Sequence, residues 1–294
     1  MTSVLIIGSN GFIGSYLTQK LLENKLSISV LNRTLPKADQ VSSPNQTNAF
    51  CYDGSKESIK KALSESGCDL VIHLASYFVP RHQSDDIEPL IASNLLFGTQ
   101  LLDCMAQLGV SKFINTGTYW QHYQNETYNP VSLYAATKQA FEDILLYYVN
   151  SGQIDAITLK LFDTYGAGDT RRKVLNLLID AAINGTELKL SPGEQKLSFV
   201  HVEDVAKAYE VALRLLIKRQ GYQHSCYGIA HKEVFSLREI ASLVEKVTGR
   251  SILANWGALP YRDREVMMPW SEYTPLPGWQ PSIKLHEGLE RLIK

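Results

Sequence analysis

Short apolar runs alternate with longer amphipathic stretches through the first half of the chain. Continuous apolar runs at residues 4–8 and 69–75 are typical of strands that are buried on both faces of a sheet. A helix follows the first run, because Ile13, Leu17 and Leu21 recur at the spacing of one helix face. This order of strand and helix predicts a parallel sheet wrapped by helices.

The same pattern continues to residue 165. It predicts further strands at residues 27–32, 112–118 and 157–162, and long helices at about residues 87–108 and 132–149. We therefore predict an α/β fold in which residues 1–165 form a Rossmann-type doubly wound parallel sheet that binds a dinucleotide.

The pattern changes after Tyr165 and Gly166. Helical segments near residues 174–182, 204–216 and 237–247 alternate with short strands and loops. Ser236 and Glu239 form a capping box, and Ser282 is expected to cap a short terminal helix. Residues 166–294 are therefore predicted to form a smaller C-terminal α/β substrate domain, with some segments interleaved with the first domain.

Composition and charge restrict the classes of function. The net charge is −1 and basic residues are spread along the chain, which argues against a nucleic-acid site. The densest basic run, Arg171-Arg172-Lys173, is explained equally well as the solvated start of a helix. No apolar stretch approaches the roughly 20 residues of a membrane span, and the N-terminus shows no charged leader. The scattered cysteines favour free thiols in a reducing compartment over a metal site, so we expect a cytoplasmic protein.

A glycine-rich turn joins the first strand to the first helix. Glycines at this place let the backbone approach a pyrophosphate, and the N-terminus of the helix supplies free N–H groups. Its position directly after a buried strand favours a dinucleotide site over a plain turn. The predicted cofactor contacts in this turn are Gly8, Asn10, Gly11, Phe12, Ile13 and Gly14.

The end of the second strand selects between the two nicotinamide cofactors. An acidic residue there would bind the ribose 2′-hydroxyl of NAD, whereas a basic residue suits the 2′-phosphate of NADP. The chain has Asn32 and Arg33 at this place and no carboxylate, so NADP(H) is favoured over NAD(H). An exposed loop arginine is the alternative.

Tyr134 and Lys138 are separated by one helical turn, which stacks a phenol and an ammonium on one helix face. A nearby ammonium favours the phenolate and would bring the pKa of the tyrosine towards useful acid–base strength. A surface pair is the alternative, but the place of the pair after the predicted cofactor strands favours catalysis.

Together these motifs resemble the extended short-chain dehydrogenase/reductase family, in its NAD-dependent epimerase/dehydratase branch. The resemblance extends over nearly the whole chain, with short matches at residues 73–75, 94–99, 161–166, 199–206 and 278–281. It implies a nicotinamide-dependent enzyme that modifies a nucleotide-linked sugar. It also implies a homodimer formed through the helices at residues 87–108 and 132–149.

The resemblance implies roles for several further residues. Thr118 would hydrogen-bond the substrate oxygen, with Thr116 as its rival and a strand cap as the alternative. Leu74 and Ala75 would lie beside the cofactor ribose, and Lys138 would also contact the cofactor. Asp53 would lie near the adenine ring, or would serve only an Asp-Gly turn.

The residues that follow Thr118 narrow the expected reaction. Dehydratases of the family have Asp-Glu there, and Tyr119-Trp120 cannot do that carboxyl chemistry, so dehydration is not expected. The runs at residues 116–122, 133–138 and 163–166 resemble most the 4-ketoreductases of the CDP-abequose and CDP-paratose synthase type. The resemblance then implies NADPH-dependent reduction of the C4 ketone of a nucleotide-linked, preferably CDP-linked, 4-keto-deoxyhexose in deoxysugar synthesis for O-antigen-type polysaccharides.

Two other functions stay open. An NAD-retaining epimerase would oxidise and re-reduce the same carbon. A dinucleotide-sensing regulator would bind the cofactor without turnover, although an intact Thr118, Tyr134 and Lys138 set argues against it.

The substrate site departs from the family pattern at two places. Leu197 stands where the family has a phosphate-binding arginine; Lys196 beside it would point to the other face of a strand. Asp163 replaces an asparagine, and a carboxylate near a diphosphate needs a compensating cation or proton. Arg262 matches a second phosphate-binding arginine, with a plain surface arginine as the alternative. The predicted substrate residues are Tyr77, Thr118, Tyr119, Asp163, Lys196 and Arg262; Arg81, Trp120 and His122 are further candidates for the sugar pocket. Aromatic residues of the core or the pocket rim are an equal alternative for Tyr77, Trp120 and His122.

Overall fold

The computed structural model describes residues 2–34 and 46–293 of the chain. The strands are β1 (Ser3–Ile7), β2 (Ser27–Asn32), β3 (Gln46–Cys51), β4 (Leu70–His73), β5 (Lys112–Thr118), β6 (Asp155–Leu161), β7 (Asp163–Tyr165), β8 (Leu188–Leu190), β9 (Lys196–Leu197), β10 (Phe199–His201), β11 (His224–Ile229), β12 (Phe235–Ser236) and β13 (Ala254–Trp256). The helices are α1 (Phe12–Glu23), α2 (Lys56–Ser66), α3 (Ile87–Ile91), α4 (Phe97–Leu108), α5 (Leu133–Asn150), α6 (Val174–Asn184), α7 (Val202–Lys218), α8 (Leu237–Thr248) and α9 (Leu285–Ile293).

Seven of these strands form one parallel sheet in the order β11-β6-β5-β4-β1-β2-β3. Helices α1 and α7 pack together against one face, while α2, α4 and α5 cover the other. Because helices cover both faces, β1, β4 and β6 are almost wholly buried, as their apolar runs predicted. The predicted doubly wound α/β fold is confirmed.

The helix predicted at residues 87–108 is present but not uniform. Helices α3 and α4 are joined by a π-helical turn at Ala92–Leu96, inside which Asn94 is buried. The Asn94 side chain accepts a hydrogen bond from the Tyr77 backbone N–H at 2.8 Å and donates to the hydroxyl of Thr137 at 3.0 Å. The turn therefore connects the loop after β4 to α5.

A smaller part of the protein has its own core, built from α6, α8 and α9 with three short strand pairs: β7 with β10, β8 with β13 and β9 with β12. The predicted capping box of Ser236 and Glu239 opens α8. The prediction for Ser282 is wrong, because α9 begins at Leu285 and Ser282 instead binds the buried carboxylate of Asp204 through its backbone N–H and its hydroxyl.

Two elements from the second half of the chain belong to the larger part. Strand β11 extends the parallel sheet next to β6, and α7 packs on α1. The division of the chain at residues 165 and 166 stays a prediction. Within the described ranges, 2–34 and 46–293, no helix combines the length and apolar character needed to cross a membrane.

Candidate active site

A cavity of about 410 Å³ lies where the carboxyl ends of β1, β4, β5 and β6 meet the smaller part of the protein. Its wall includes many of the predicted site residues: Gly8, Gly11, Phe12, Ile13, Gly14, Leu74, Thr118, Tyr119, Tyr134, Lys138, Asp163 and Arg262. Ligands of doubly wound sheets bind at this edge, close to the point where the strand order reverses. Here that point lies between β1 and β4.

The glycine-rich turn leaves room for a ligand at the N-terminus of α1. Gly8 has φ +88°, and a Cβ atom there would lie 2.7 Å from the backbone nitrogen of Ala75, so glycine is needed for both reasons. Gly11 caps α1 without a side-chain hydrogen bond. The first N–H groups of the helix are therefore free to bind an anion, and the turn fits the pyrophosphate of a dinucleotide.

Asn32 ties this turn to the end of β2. The buried Asn32 side chain donates to the hydroxyl of Ser9 at 2.8 Å and to the side-chain oxygen of Asn10 at 3.3 Å. Asn10 in turn donates to the Thr34 carbonyl at 3.0 Å. Arg33, next in the chain, is exposed.

Asp53 is exposed and forms a turn. Its carboxylate accepts hydrogen bonds from the backbone N–H and the hydroxyl of Ser55, which caps α2. These bonds lower the pKa of Asp53. The contacts of Asp53 are therefore those of a turn residue, which was the alternative to a place near the adenine ring.

Tyr134 and Lys138 lie on the first turns of α5, which Ser132 caps by accepting a hydrogen bond from the Ala135 N–H. Burial lowers the pKa of Lys138 to about 8, and Glu142 opposes this change. Burial also raises the pKa of Tyr134, and the groups that lower it are Ser76 and Arg171. The sequence predicted that Lys138 would lower this pKa, but burial is the largest effect and Lys138 is not among the groups that lower it. Tyr134 is therefore a neutral phenol that can donate a proton.

The structure distinguishes the two candidate threonines on β5 by their hydrogen bonds. The Thr116 hydroxyl donates to the His73 carbonyl at 2.7 Å, so the Tyr209 hydroxyl, 2.6 Å away, must donate to Thr116. The Thr118 hydroxyl accepts from the Trp120 N–H at 3.3 Å, which leaves its own proton for a ligand in the cavity. This geometry favours Thr118 as the group that binds a substrate oxygen.

The carboxylate of Asp163 has both a proton donor and a cation beside it. The Tyr119 hydroxyl donates to it at 2.9 Å, and the Lys173 ammonium lies 3.6 Å away. Burial raises the pKa of Tyr119 well above its usual value, so this phenol remains a donor. Lys173 thus supplies a positive charge beside this carboxylate.

The basic run at residues 171–173 was missed as a site by the sequence analysis, which explained it equally well as a solvated helix start. All three side chains line the cavity. Arg171 forms a bidentate pair with Asp169, at 2.7 and 2.8 Å, and its guanidinium lies 4.6 Å from the centre of the Phe12 ring. Sequence spacing alone gave no signal for this, because the cavity is formed by residues distant in the chain.

Arg262, on the loop between β13 and α9, also lines the cavity. Its guanidinium pairs with Glu265 at 3.1 Å and lies 5.9 Å from the ring of Trp120. Trp120 is also in the cavity wall.

Several candidates lie outside the cavity wall. Tyr77 donates its hydroxyl to Asp86 at 2.8 Å, Lys196 is exposed, and His122 is buried against Trp270. Arg81 and Ala75 also do not line the cavity, although Ala75 backs Gly8. In the part of the chain that the structure describes, no three His, Cys, Asp or Glu side chains are grouped to hold a metal ion.

Comparisons with known proteins agree with this geometry. The NAD dependent epimerase/dehydratase family matches the chain over residues 4–223. The CDP-abequose synthase of Yersinia pseudotuberculosis is 28% identical over 293 residues, which cover 99% of each protein. That of Salmonella typhimurium is 26% identical and covers 99% of this chain and 97% of the relative. The solved UDP-glucose 4-epimerase of Thermus thermophilus, a complex with NAD, has a TM-score of 0.83 at 25% identity, over 99% of this chain and 97% of that one.

Proposed function

The chain belongs to the NAD-dependent epimerase/dehydratase family, as its motifs predicted, and from this premise we propose that it is an NADPH-dependent reductase of the C4 ketone of a nucleotide-linked 4-keto-deoxyhexose. The observation that carries the proposal is the cavity itself. It brings Thr118, Tyr134 and Lys138 together, while Tyr119 and Trp120 stand where a dehydratase would need carboxyl groups. The similarity to two CDP-abequose synthases favours a CDP-linked substrate in deoxysugar synthesis for O-antigen-type polysaccharides.

Three side chains would serve the chemistry. NADPH supplies the hydride when bound. Tyr134 donates its phenolic proton to the C4 oxygen as negative charge develops there, and the Thr118 hydroxyl donates a hydrogen bond to the same oxygen. Lys138, with a pKa of about 8, presents an ammonium to the cavity at neutral pH. Its positive charge compensates the negative charge that Tyr134 acquires when it gives up its proton.

The remaining cavity charges suit the diphosphate of a nucleotide sugar. Arg172, Lys173 and Arg262 lie along the wall, and a guanidinium can bind phosphate through two parallel hydrogen bonds. Asp163 is then a hydrogen-bond acceptor for Tyr119 and a partner of Lys173 rather than a direct phosphate ligand. Neither Lys196 nor Tyr77 is needed in this arrangement.

The preference for NADPH over NADH, a homodimer and a place in the cytoplasm belong to the same proposal. Arg33 supports the first, because no carboxylate accompanies it at the end of β2. The exposed apolar side chains of α3, α4 and α5 support the second.

An epimerase is the second candidate, favoured by the similarity to the Thermus thermophilus epimerase. It differs from a reductase in how the cofactor is used, since an epimerase regenerates its own cofactor and can retain it. A dinucleotide-sensing regulator is the least favoured, because the residues needed for turnover are all present.

The deciding experiment supplies CDP-, dTDP-, GDP- and UDP-linked 4-keto-6-deoxysugars and follows NADPH absorbance. We expect one NADPH to be oxidised for each alcohol formed, with the purified protein largely free of nicotinamide. Tyr134→Phe should still bind NADPH but lose roughly 10²–10⁴ in rate, the usual cost of losing a general acid. Tightly retained NAD and inversion of a hydroxyl sugar with no net NADPH consumption would establish the epimerase instead.

A further inference from the structure

A layer of buried polar side chains lies behind the cavity, between α5 and strands β5 and β6. Glu142 is at its centre: its carboxylate accepts a hydrogen bond from Gln121 at 2.9 Å and lies 3.3 Å from the ammonium of Lys160. Both charged side chains are less than one-tenth exposed. Ionised groups at this depth are costly even when paired, so the layer requires an explanation beyond packing.

Gln121 connects this carboxylate to Thr118. The side-chain oxygen of Gln121 accepts a hydrogen bond from the Thr118 backbone N–H at 3.0 Å, and its amide group donates to both Glu142 and Gln139. Gln121 is completely buried. Hydrogen bonds at both its oxygen and its nitrogen therefore hold the amide group in one orientation. The same bonds hold the backbone of Thr118, which carries the hydroxyl.

The same carboxylate influences Lys138, which lies one helical turn earlier on α5. The Glu142 carboxylate is paired with the buried Lys160 ammonium, and it also raises the pKa of Lys138 against the effect of burial. Lys160 is also 2.7 Å from the ring of His122.

The other titratable groups facing this cluster carry little charge. His73 on β4 faces Lys138, and burial together with that lysine lowers its pKa to about 3. On the Glu142 side, burial lowers the pKa values of His122 and His224 and raises that of Cys226, so these groups are neutral near pH 7. Towards the cavity the neighbouring groups are the Tyr134 phenol and Arg171. Glu142 is thus the carboxylate whose charge opposes the effect of burial on Lys138.

We propose that Glu142 is a positioning residue for the reductase reaction: it holds Gln121 and through it the backbone of Thr118, and its negative charge lies one helical turn from Lys138 on the same helix. Lys160 competes for the same carboxylate and so limits the effect of this charge on Lys138. The inference rests on the proposed function for the reaction that Glu142 serves.

The test compares pH profiles of kcat/KM for variants with opposite expected shifts. Lys138 is charged below its pKa of about 8, so activity should fall as the pH rises through that value. Glu142→Gln removes the charge but can still hydrogen-bond Gln121, and should move this alkaline limb to lower pH. If the pKa of Lys138 falls by about one unit, its charged fraction at pH 8 falls from about one half to about one tenth, so the loss of activity near pH 8 should be about fivefold and should shrink in acid.

Lys160→Met should move the same alkaline limb to higher pH. Without the positive charge of Lys160, the charge of the Glu142 carboxylate acts more strongly on Lys138. A merely structural role would weaken both variants without moving their limbs in opposite directions. Glu210→Gln, which removes the carboxylate of an i,i+4 pair with Arg214 on α7, is the matched control and should leave the profile unchanged. If Glu142→Gln fails to fold, the shift of Lys160→Met still decides the question.

A second readout separates this inference from the proposed reaction. Because Lys138 and the glycine-rich turn line one cavity, NADPH affinity, followed by fluorescence quenching against pH, should weaken in the same order as turnover. If no nucleotide sugar is turned over, the proposed reaction fails while the binding profiles still test Glu142. Identical alkaline midpoints in the wild type, Glu142→Gln and Lys160→Met would overturn the role of Glu142.

Discussion

Thr116 and Thr118 lie two residues apart on β5 and line the same cavity. They differ in whether the hydroxyl proton is available for a hydrogen bond to a ligand. The Thr116 hydroxyl is fully engaged between the His73 carbonyl and the Tyr209 phenol, whereas Thr118 keeps its proton. The same residue type therefore serves structure at one position and is available for chemistry at the other.

This difference predicts opposite outcomes for one substitution. Thr118→Val should lower kcat by roughly 10²–10³, as loss of one donor to a developing oxyanion does, with little change in thermal stability. Thr116→Val leaves the buried Tyr209 hydroxyl unpaired and should cost about 1–3 kcal/mol of unfolding free energy instead. Steady-state kinetics and denaturant titration of both variants check this. Equal losses of kcat in the two would contradict the assignment of Thr118.

A second prediction at this scale concerns Arg33, which is exposed at the end of β2 with no carboxylate beside it in the sequence. NADPH should bind more tightly than NADH, and Arg33→Ala should reduce that preference by about tenfold or more, since a charged hydrogen bond contributes about 1.5–3 kcal/mol. Calorimetric titration of the wild type and the variant with NADPH and with NADH measures this preference. Lys25→Ala removes a basic side chain from the loop before β2 as a control, and equal wild-type affinities would refute the preference.

At the scale of elements, the loop between β13 and α9 carries Arg262 into the cavity and is fastened at one end. Trp270 stacks on His122 with the ring centres 3.8 Å apart. The backbone N–H of Ser271 donates to the side chain of Asn125 at 2.8 Å, and the Arg264 guanidinium lies 4.5 Å from the Tyr123 ring. These contacts join the loop to the segment after β5.

Trp270→Ala should therefore let Arg262 move more freely and leave the cofactor site unchanged. Stacked rings contribute about 0.5–1.5 kcal/mol beyond the area they bury, so the KM for the nucleotide sugar should rise about two- to tenfold while NADPH affinity stays constant. Tyr222→Ala, which removes an exposed aromatic ring from the segment before β11, is the control. An unchanged KM, or a parallel loss of NADPH affinity, would show that the loop does not position Arg262.

Elements with a strong local pattern were predicted well, and contacts between elements were not. Strand β2 was predicted with its observed bounds, because its β-branched and apolar residues indicate a strand without reference to any other element. The π-helical turn after α3 was missed, since a single wider turn changes the spacing of apolar residues too little to be seen in the sequence. The basic run at residues 171–173 was missed as a site for another reason: a charge pattern does not tell which distant surface a segment will face.

At the scale of the whole molecule, the two parts of the protein enclose the cavity, and the outer helices carry apolar side chains that are exposed in the described part of the chain. Ile87, Ile91, Leu96 and Leu108 are between 41% and 55% exposed along α3, the π-helical turn and α4, and Tyr147 on the adjoining α5 is 66% exposed. Exposed apolar side chains grouped on neighbouring helices are typical of an interface between subunits.

This surface predicts a homodimer in which α3, α4 and α5 of one protomer pack on those of its partner. Light scattering after size exclusion should give about twice the chain mass of 32.9 kDa. Leu96→Glu places a charge among these side chains and should yield a monomer that still binds NADPH, because Leu96 is exposed and does not line the cavity. Leu253→Glu is the matched control, since Leu253 is 57% exposed in the smaller part of the protein and should leave the mass unchanged. A monomeric wild type, or dissociation by Leu253→Glu alone, would remove this surface as the interface.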